Sequence, residues 1–465
     1  MADDRSALTT LLTSAHPGGT VTVGQVTRLS AGASRRTLLV HAVVDGTPVT
    51  DVVQVDQGAP PGGGDGRAGM ATQAELLRRA AAAGVPVPPV LAVDTTGVLG
   101  GPAVVMAAVE GETIARRILR DDAYAAARAG FSRDCGRALA ALHAVDPDGL
   151  GLSTGDPLVG LRASLDAAGE HRPTFELALR WLDTHRPPMG APTLVHGDFR
   201  LGNLIVGPDG VRAVLDWELA HLGDPMEDLG WLCSVAWRFG GAEPVGGVGR
   251  RDDLYRAYEA AGGRPVDRAA AHWWEVRAAL SWGIICMGQA RRHLSGTTPS
   301  MELAAIGRRV PETECDLFGL LWPDAWRAAL AAPGTPAGDP DPAGGLHGRP
   351  TAAELAEAVA GWLSTDVAAA VPQLAFHLRV AGNVLATVAR EARLGAGQAA
   401  AHTERLARLG AADDADLVGR LRAGSATADT PGLLDAVAAD VRDRLAVANP
   451  RYLDRPALEA PGEGS

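Results

Sequence analysis

Two acidic side chains and one amide stand at a spacing that suits phosphoryl transfer. Asp198 and Asn203 lie five residues apart in the segment 196–203, and Asp216 follows thirteen residues after Asn203, behind the apolar run 211–215. Phosphoryl transfer from ATP requires a carboxylate that orients the acceptor hydroxyl, and it requires amide and carboxylate oxygens that hold Mg²⁺ on the phosphates. A turn at 208–210 would fold the intervening chain into one hairpin and bring the three side chains together. The alternative is an ordinary surface hairpin rich in Asp and Asn.

The composition limits the classes of partner and compartment. The 465-residue chain has a net charge of −12, which argues against nucleic acid or an anionic membrane as its main partner. Its four cysteines lack metal-ligand spacing and stand mostly in apolar helical segments, which predicts buried free thiols in a reducing compartment. The N-terminus is acidic where a signal peptide would be basic, and the longest nearly uncharged stretch is broken by Gly and Pro. We therefore expect a cytoplasmic protein that does not enter a membrane.

The pattern of apolar residues divides the chain into segments of different structure. Residues 21–56 alternate as strands around a turn at 45–46, residues 71–83 have the pattern of a helix, and 104–106 is a further strand. From residue 110 onward the pattern is helical, except at 194–218. The segment 333–350, with five prolines and five glycines, is typical of a linker.

These segments predict an α+β fold with the bilobal organisation of kinase-like proteins, which clamp a nucleotide between two lobes. The predicted parts are a small β-rich N-terminal lobe, a large helical lobe, a linker, a separate all-α domain and a disordered tail. Their limits are 1–108, 109–332, 333–350, 351–455 and 456–465, respectively.

Three short segments then carry a family resemblance. Residues 194–204 (LVHGDFRLGNL), 214–220 (VLDWELA) and 223–231 (GDPMEDLGW) resemble the motifs of the aminoglycoside phosphotransferase superfamily of small-molecule kinases. The helical stretch 273–309 is similar to the branch of that superfamily that occurs fused to, or encoded beside, acyl-CoA dehydrogenases. The resemblance covers the first 330 residues. Residues 350–450 resemble a small helical domain of unknown function that occurs beside the same branch.

The resemblance implies ATP and Mg²⁺ as cofactors and assigns roles in the catalytic segment. It implies that Asp198 is the catalytic base and that Asn203 and Asp216 are the Mg²⁺ ligands. Asp198 would act mainly by positioning the hydroxyl group, since the transition state is loose. The ring of His196 would anchor the loop, whereas Arg200 would either neutralise phosphate or substrate charge or brace the loop.

In the small lobe the resemblance implies contacts with the phosphates and the adenine. Gly32 and Ser34 correspond to the turn that covers the ATP phosphates, where glycine permits a close approach of the backbone. Met106 and Ala108 belong to the connection between the lobes, whose backbone groups would pair with adenine. These four positions are therefore nucleotide-binding candidates.

One cation that the family places on the third strand is missing. Relatives carry a Lys or Arg there, which grips the phosphates and pairs with a helix glutamate; Glu75 stands at the position of that glutamate. The strand carries Gln54, which can donate hydrogen bonds but brings no charge, so the affinity for ATP or the rate is in question. The chain contains no lysine, and Arg35, Arg36 and Arg67 are the candidate replacements.

The branch implies a hydroxyacyl-CoA as the small-molecule acceptor and a functional link to an acyl-CoA dehydrogenase. Candidate acceptor contacts are Arg200, Glu218, Trp282, Gln289 and Arg292, although the residues of the 273–310 helices could equally serve packing. A second possibility is an aminoglycoside acceptor, but a polycation would require an acidic groove, and the arginines at 291, 292, 308 and 309 suggest an anion. A third is a catalytically weakened nucleotide-binding pseudokinase scaffold.

In the C-terminal domain four polar side chains share one face of a predicted helix. Arg379, Asn383, Thr387 and Arg390 follow one another at spacings of three and four residues. This face would dock onto the kinase lobe, grip an anionic group such as a CoA phosphate, or simply contact solvent.

Overall fold

The computed structural model describes residues 2–29, 35–58, 68–336 and 349–455. Two predicted phosphate-binding residues, Gly32 and Ser34, lie outside these ranges, as do Arg67, most of the predicted linker and the predicted tail. The chain forms two compact units, one of Met1–Gly155 with Pro187–Glu275 and the other of Asp156–Arg186 with Val276–Ser465.

The strands all belong to the first unit. They are β1 (Val21–Leu29), β2 (Arg35–Val44), β3 (Thr47–Asp56), β4 (Val90–Asp94), β5 (Ala103–Ala107), β6 (Thr193–Val195), β7 (Leu204–Gly207), β8 (Gly210–Val214) and β9 (His221–Gly223). The first five form one antiparallel sheet in the order β1-β2-β3-β5-β4, while β6 pairs with β9 and β7 with β8.

The helices follow in chain order. They are α1 (Ala2–Ala15), α2 (Met70–Ala82), α3 (Ala115–Arg120), α4 (Ala125–His143), α5 (Pro157–Ala168), α6 (Pro173–Thr184), α7 (Met226–Cys233), α8 (Arg251–Ala260), α9 (Arg268–Leu294), α10 (Met301–Gly307), α11 (Val310–Leu321), α12 (Pro323–Ala331), α13 (Ala352–Trp362), α14 (Ala368–Ala370), α15 (Ala375–Arg408), α16 (Asp414–Ala423) and α17 (Leu433–Ala448). Among the described residues no helix is both long enough and apolar enough to cross a membrane.

The sheet of the first unit buries one face under α1. Leu8, Leu11 and Leu12 recur at helical spacing and pack with Val53 and Val55 of β3 in one apolar cluster. Side chains of β3 alternate between the two faces, so Gln54 points away from this cluster. The face of β3 that carries Gln54 is therefore the one free to serve a site.

The predicted strands of the N-terminal lobe lie where the alternation placed them. The turn between β2 and β3 is formed by Asp45 and Gly46, both with positive φ, which is the geometry of a tight hairpin. Two elements were not predicted, namely α1 and β4, because their apolar patterns are short or interrupted. The four cysteines are buried and free, as the sequence suggested.

The second unit joins helices from both sides of the predicted linker. Arg422 of α16 contacts Glu176 of α6 at 2.9 Å, and Arg442 of α17 donates to the carbonyl oxygen of Ala329 of α12 at 2.9 Å. The two compact units thus do not follow the limits 109–332 and 351–455. Whether the C-terminal helices also fold by themselves stays a prediction.

The polar face predicted on α15 is partly engaged within this unit. Arg390 Nε donates to the carbonyl oxygen of Val447 at 2.6 Å, and Thr387 is buried. Asn383 and Arg379, one and two turns before Thr387, are exposed. Of the four residues, Arg390 is therefore the one that contacts the end of α17.

Candidate active site

The hairpin of β7 and β8 holds the ends of the catalytic segment next to each other. Leu204 pairs with Val214, and beyond this pair the Leu215 N–H donates to the carbonyl oxygen of Asn203 at 2.8 Å. Asp216 is the next residue along the chain. The pairing of β7 with β8 therefore sets the distance between Asn203 and Asp216. The sequence predicts such a hairpin from the turn at 208–210.

Asp198 is surrounded by hydrogen-bond donors. Its Oδ1 accepts from Trp231 Nε1 at 2.8 Å and from Arg200 Nε at 2.9 Å, and its Oδ2 accepts from Asn203 Nδ2 at 2.6 Å. A carboxylate offers about four lone-pair positions, so one remains on the Oδ2 side for an incoming hydroxyl group. The side chain is 15% exposed, which leaves it within reach of a small molecule.

His196 anchors the loop that carries Asp198. Its Nδ1 accepts from the backbone N–H of Asp198 at 3.2 Å, and its Nε2 lies 3.0 Å from the carbonyl oxygen of Leu215. These partners assign the ring proton to Nε2. The ring also packs edge-on against Trp217, with the two centroids 4.9 Å apart. This geometry agrees with an anchoring role.

A buried carboxylate braces the same loop from α7. Asp228 accepts from the backbone N–H groups of His196 at 2.9 Å and Gly197 at 3.0 Å, and His143 Nε2 lies 3.1 Å from it. Burial alone would raise the pKa of Asp228, but its hydrogen bonds with the His143 ring and with the backbone N–H of His196 hold it below its ordinary value. Asp224 receives the N–H of Met226 at 2.9 Å and so begins α7. Both carboxylates thus support the backbone around the site.

The candidate metal ligands have the chemistry that Mg²⁺ prefers. Because Asn203 Nδ2 faces Asp198, its amide oxygen is the atom that can coordinate a cation. Asp216 adopts a left-handed backbone conformation, with φ 63° and ψ 67°, at the end of β8. Although it is exposed to solvent, the protein atoms around it displace part of its hydration and raise its pKa, and the negative charges of Glu218 and Asp198 raise it further.

This concentration of negative charge fits a bound cation. Within the described ranges, no three His, Cys, Asp or Glu side chains converge on a point that could hold a metal ion. A cation at Asn203 and Asp216 would therefore take its remaining ligands from the nucleotide phosphates and water, which is the usual way in which proteins hold Mg²⁺.

Glu75 does not occupy the position expected for the partner of a phosphate-binding cation. That side chain is 44% exposed and pairs with Arg79 on its own helix at 3.0 Å. The residue of α2 that faces the sheet is Gln73, which is 4% exposed and accepts from Arg35 Nη1 of β2 at 2.7 Å. The geometry thus does not support Glu75 as the partner of a phosphate-binding cation.

The two neighbouring arginines of β2 point to opposite faces of the sheet. Arg36 donates from Nη2 to the carbonyl oxygen of Leu99 at 2.7 Å. Arg35 is directed to the other face, where its Nη2 lies 3.3 Å from Glu218 Oε2 and its side chain is 10% exposed. Strand alternation would have separated the two arginines, but the sequence has no signal for the contact between Arg35 and Gln73.

The sequence predicts that Met106 and Ala108, at the end of β5 and just after it, contact adenine through their backbone groups. Met106 is buried in β5, opposite Val52 of β3. The backbone N–H of Ala108 donates to the carbonyl oxygen of Thr50 at 3.0 Å, so this donor is already used. A donor to adenine would have to come from Val109 or a later residue of the connection.

Of the candidate acceptor contacts, two lie in the catalytic region. Arg200 donates to Asp198 and stacks on Trp237, with its guanidinium carbon 4.5 Å from the ring centroid. This contact favours the bracing role among the alternatives left open for Arg200. Glu218 pairs with Arg35. Trp231 and Trp237, which the sequence reasoning missed as site residues, complete the surroundings of Asp198 and Arg200.

The other three candidates belong to the second unit, on the last turns of α9. Trp282 is half-buried under the guanidinium of Arg309, whose carbon lies 5.6 Å from the ring centroid. Arg292 contacts Gln289 at 3.4 Å and Thr298 at 3.3 Å. Packing accounts for these contacts, and an acceptor role for the three residues stays a prediction.

Comparisons with known proteins match both parts of the chain. The profile of the phosphotransferase enzyme family, APH, covers residues 25–273, more than half of the chain. The profile of a domain of unknown function, DUF6285, covers residues 368–452. A Ralstonia eutropha JMP134 protein, provisionally named an aminoglycoside phosphotransferase, is 24% identical with a TM-score of 0.52, covering 66% of this chain and 95% of its own. The predicted kinase-like α+β fold with its helical C-terminal region is confirmed.

Curated relatives match the chain over shorter stretches. Acyl-CoA dehydrogenase family member 10 of Mus musculus is 52% identical over 63 residues, which are 13% of this chain and 6% of that protein. Acyl-CoA dehydrogenase family member 11 of Rattus norvegicus is 33% identical over 166 residues, 32% of this chain and 21% of that protein. The chain thus spans about a fifth or less of the length of these relatives. The family resemblance read from the three motifs is confirmed.

Proposed function

The chain belongs to the phosphotransferase enzyme family, and on that basis we propose that it transfers a phosphoryl group from ATP to a hydroxyl group of a small metabolite. The observation that carries this proposal is the placement of Asp198, Asn203 and Asp216 around the hairpin of β7 and β8. Leu215 links the last two through its hydrogen bond to Asn203, and Asn203 in turn donates to Asp198.

Asp198 is the base in this proposal. Three donors, Asn203, Arg200 and Trp231, fix the orientation of its carboxylate before a substrate arrives. A fixed carboxylate can accept a hydrogen bond from the acceptor hydroxyl and align its oxygen with the phosphorus atom. The proton then passes to Asp198 as the new oxygen–phosphorus bond forms and the bond from the γ-phosphorus to the bridging oxygen breaks, with ADP as the leaving group.

Asn203 and Asp216 would hold Mg²⁺, which when bound neutralises charge on the phosphates during transfer. The excess of carboxylates at this point supports a cation-binding role, because Asp216 lies close to Glu218 and Asp198. The ring of His196 bonds to the carbonyl oxygen of Leu215, and Asp228 accepts from the backbone N–H of His196. These contacts hold the loop that carries Asp198 next to the residue before Asp216.

The acceptor that we propose is a hydroxyacyl-CoA. The names of the curated relatives, acyl-CoA dehydrogenase family members 10 and 11, support this class, as does the motif resemblance to their branch. A phosphorylated hydroxyl group is a better leaving group than a free one, so such a product would suit a later elimination of phosphate. A functional link to an acyl-CoA dehydrogenase belongs to the same proposal.

The test is a screen for ADP release with hydroxyacyl-CoAs and sugars as acceptors. We expect the Asp198→Asn variant to lose about a hundredfold or more of the acceptor-dependent rate, because it removes the hydrogen-bond acceptor and base. Asp209→Asn is the matched control, since Asp209 lies on the same hairpin but is 75% exposed and pairs with Arg212 at the surface. Equal rates for the parent and Asp198→Asn would contradict the proposal.

A nucleotide-binding scaffold without activity is the second candidate, and the neutral Gln54 on β3 is the observation that favours it. The same screen separates the two functions. Saturable binding of MgATP with no ADP release above the Asp198→Asn background, across the whole acceptor panel, would favour the scaffold.

A further inference from the structure

The positive charge that β3 lacks is present on the adjacent strand. Gln54 of β3 stands opposite Thr37 of β2, and Arg35 stands opposite Asp56. Since side chains two residues apart share a face of a sheet, Arg35 and Gln54 project on the same side. Relatives carry their cation on the third strand, which here has Gln54. Arg35 thus lies on the neighbouring strand, two residues before Thr37, the residue that pairs with Gln54.

Arg35 points toward the residues that would hold the metal ion. Its Nη2 is 3.3 Å from Oε2 of Glu218, which stands two residues after Asp216. A guanidinium in this position lies beside the metal-binding carboxylate, where the phosphates of MgATP would be bound.

Gln73 fixes the direction of the Arg35 side chain. Its Oε1 accepts from Arg35 Nη1 at 2.7 Å, while its Nε2 donates to the carbonyl oxygen of Ala68 at 2.5 Å, so the amide is held at both ends. Gln73 is neutral, so it orients the guanidinium without cancelling its charge.

We propose that Arg35, oriented by Gln73, is the phosphate-binding cation of this protein and replaces the Lys or Arg that β3 lacks. This inference rests on the proposed function, because it assumes that MgATP binds beside Asp216. Arg35 contacts Glu218, and the phosphates of bound MgATP would compete with Glu218 for the guanidinium.

The test measures nucleotide affinity by isothermal titration calorimetry rather than turnover. We expect Arg35→Gln to weaken MgATP binding about ten- to hundredfold, which is the usual effect of losing a charge-assisted hydrogen bond, and to leave adenosine binding unchanged. The matched control is Arg36→Gln, which removes a neighbouring arginine from the opposite face and should change MgATP affinity by about twofold or less.

A second variant tests the replacement itself. Adding Gln54→Arg to Arg35→Gln returns a cation to the same face of the sheet and should recover at least part of the lost MgATP affinity. Circular dichroism of each variant shows that it is folded. Unchanged MgATP affinity in Arg35→Gln, or an equal loss in Arg36→Gln, would overturn the role of Arg35 while the proposed function stands. A parent protein that binds no MgATP would overturn both.

Discussion

Each donor to Asp198 comes from a different distance along the chain. Arg200 and Asn203 lie two and five residues away, within the motif that the sequence makes visible. Trp231 lies thirty-three residues away and reaches Asp198 only because α7 packs against the loop. The motif therefore identifies the base, whereas the packing of α7 completes the set of groups that orient it.

The charge at Asp216 leads to a prediction for the metal-free protein. Because the pKa of Asp216 is raised, ionisation opposes folding, and stability without metal should fall as the pH rises through that pKa. We expect Asp216→Asn to remove this decrease and to raise the thermal midpoint slightly at pH 7 in EDTA. Asparagine also tolerates the left-handed backbone that this position requires.

The same variant should lose the response to Mg²⁺. Mg²⁺ with ATP should raise the thermal midpoint of the parent, since a ligand that binds only the folded state stabilises it. Asp216→Asn should show a much smaller rise, whereas Asp209→Asn should behave as the parent does. Thermal unfolding with and without MgATP checks this, and an equal rise in all three proteins would exclude Asp216 as a metal ligand.

At the scale of elements, α2 forms where the sequence predicts a helix, but the side chain that it directs to Arg35 is Gln73 and not Glu75. The helix itself lies at Met70–Ala82, close to the predicted 71–83. Its buried stripe includes Met70, Gln73, Ala74 and Leu77, and Glu75 lies about 200° around the helix from Gln73. The rotation of the helix on the sheet, set by its apolar residues, decides that Gln73 faces Arg35.

The crossing of α4 and α8 depends on one glycine. A Cβ atom at Gly136 would lie 2.7 Å from the carbonyl oxygen of Leu254 and 2.8 Å from the backbone nitrogen of Tyr258, and neither backbone atom can move freely. Gly136→Ala should lower the free energy of unfolding by about 1–3 kcal/mol, despite the better helix propensity of alanine.

The control for this substitution is another glycine inside a helix. Gly160 lies in α5, where an added Cβ would meet nothing within 4 Å. Gly160→Ala should therefore be neutral or stabilise the protein by up to about 1 kcal/mol. Chemical denaturation of both variants checks the pair, and equal effects would show that the helix crossing tolerates the extra methyl group.

At the scale of the whole molecule, the two compact units cut across the order of the sequence. Glu176 of α6 is 1% exposed and is held by Arg162 at 2.7 Å and by Arg422 of α16 at 2.9 Å. Arg422 also contacts Asp166 of α5 at 2.7 Å. Ion pairs at a buried carboxylate thus join helices that are more than two hundred residues apart.

This organisation predicts separate thermal transitions for the two units. In differential scanning calorimetry, MgATP should raise the transition of the unit that contains Asp198 and Asp216. Arg422→Gln should lower the other transition, because it removes one of two cations from a buried carboxylate, at a cost of about 1–2 kcal/mol.

An exposed ion pair in the second unit provides the control for Arg422. Arg327 is 63% exposed and pairs with Asp324, which is 89% exposed. Arg327→Gln should leave both transitions within about 1 °C of the parent, since exposed pairs contribute little. A single transition that both MgATP and Arg422→Gln shift would contradict the separation into two units.

The sequence by itself determined the chemistry of the catalytic segment and the types of most elements. The motif around Asp198, the turn of the β7–β8 hairpin and the alternation of β2 and β3 depend on residues close in the chain, so local spacing is sufficient to predict them. The missing cation on β3 was visible for the same reason. Only the tertiary structure singled out Arg35 as the replacement that we propose, because Arg35, Gln73 and Glu218 meet through the packing of a strand, a helix and a loop that are distant in sequence.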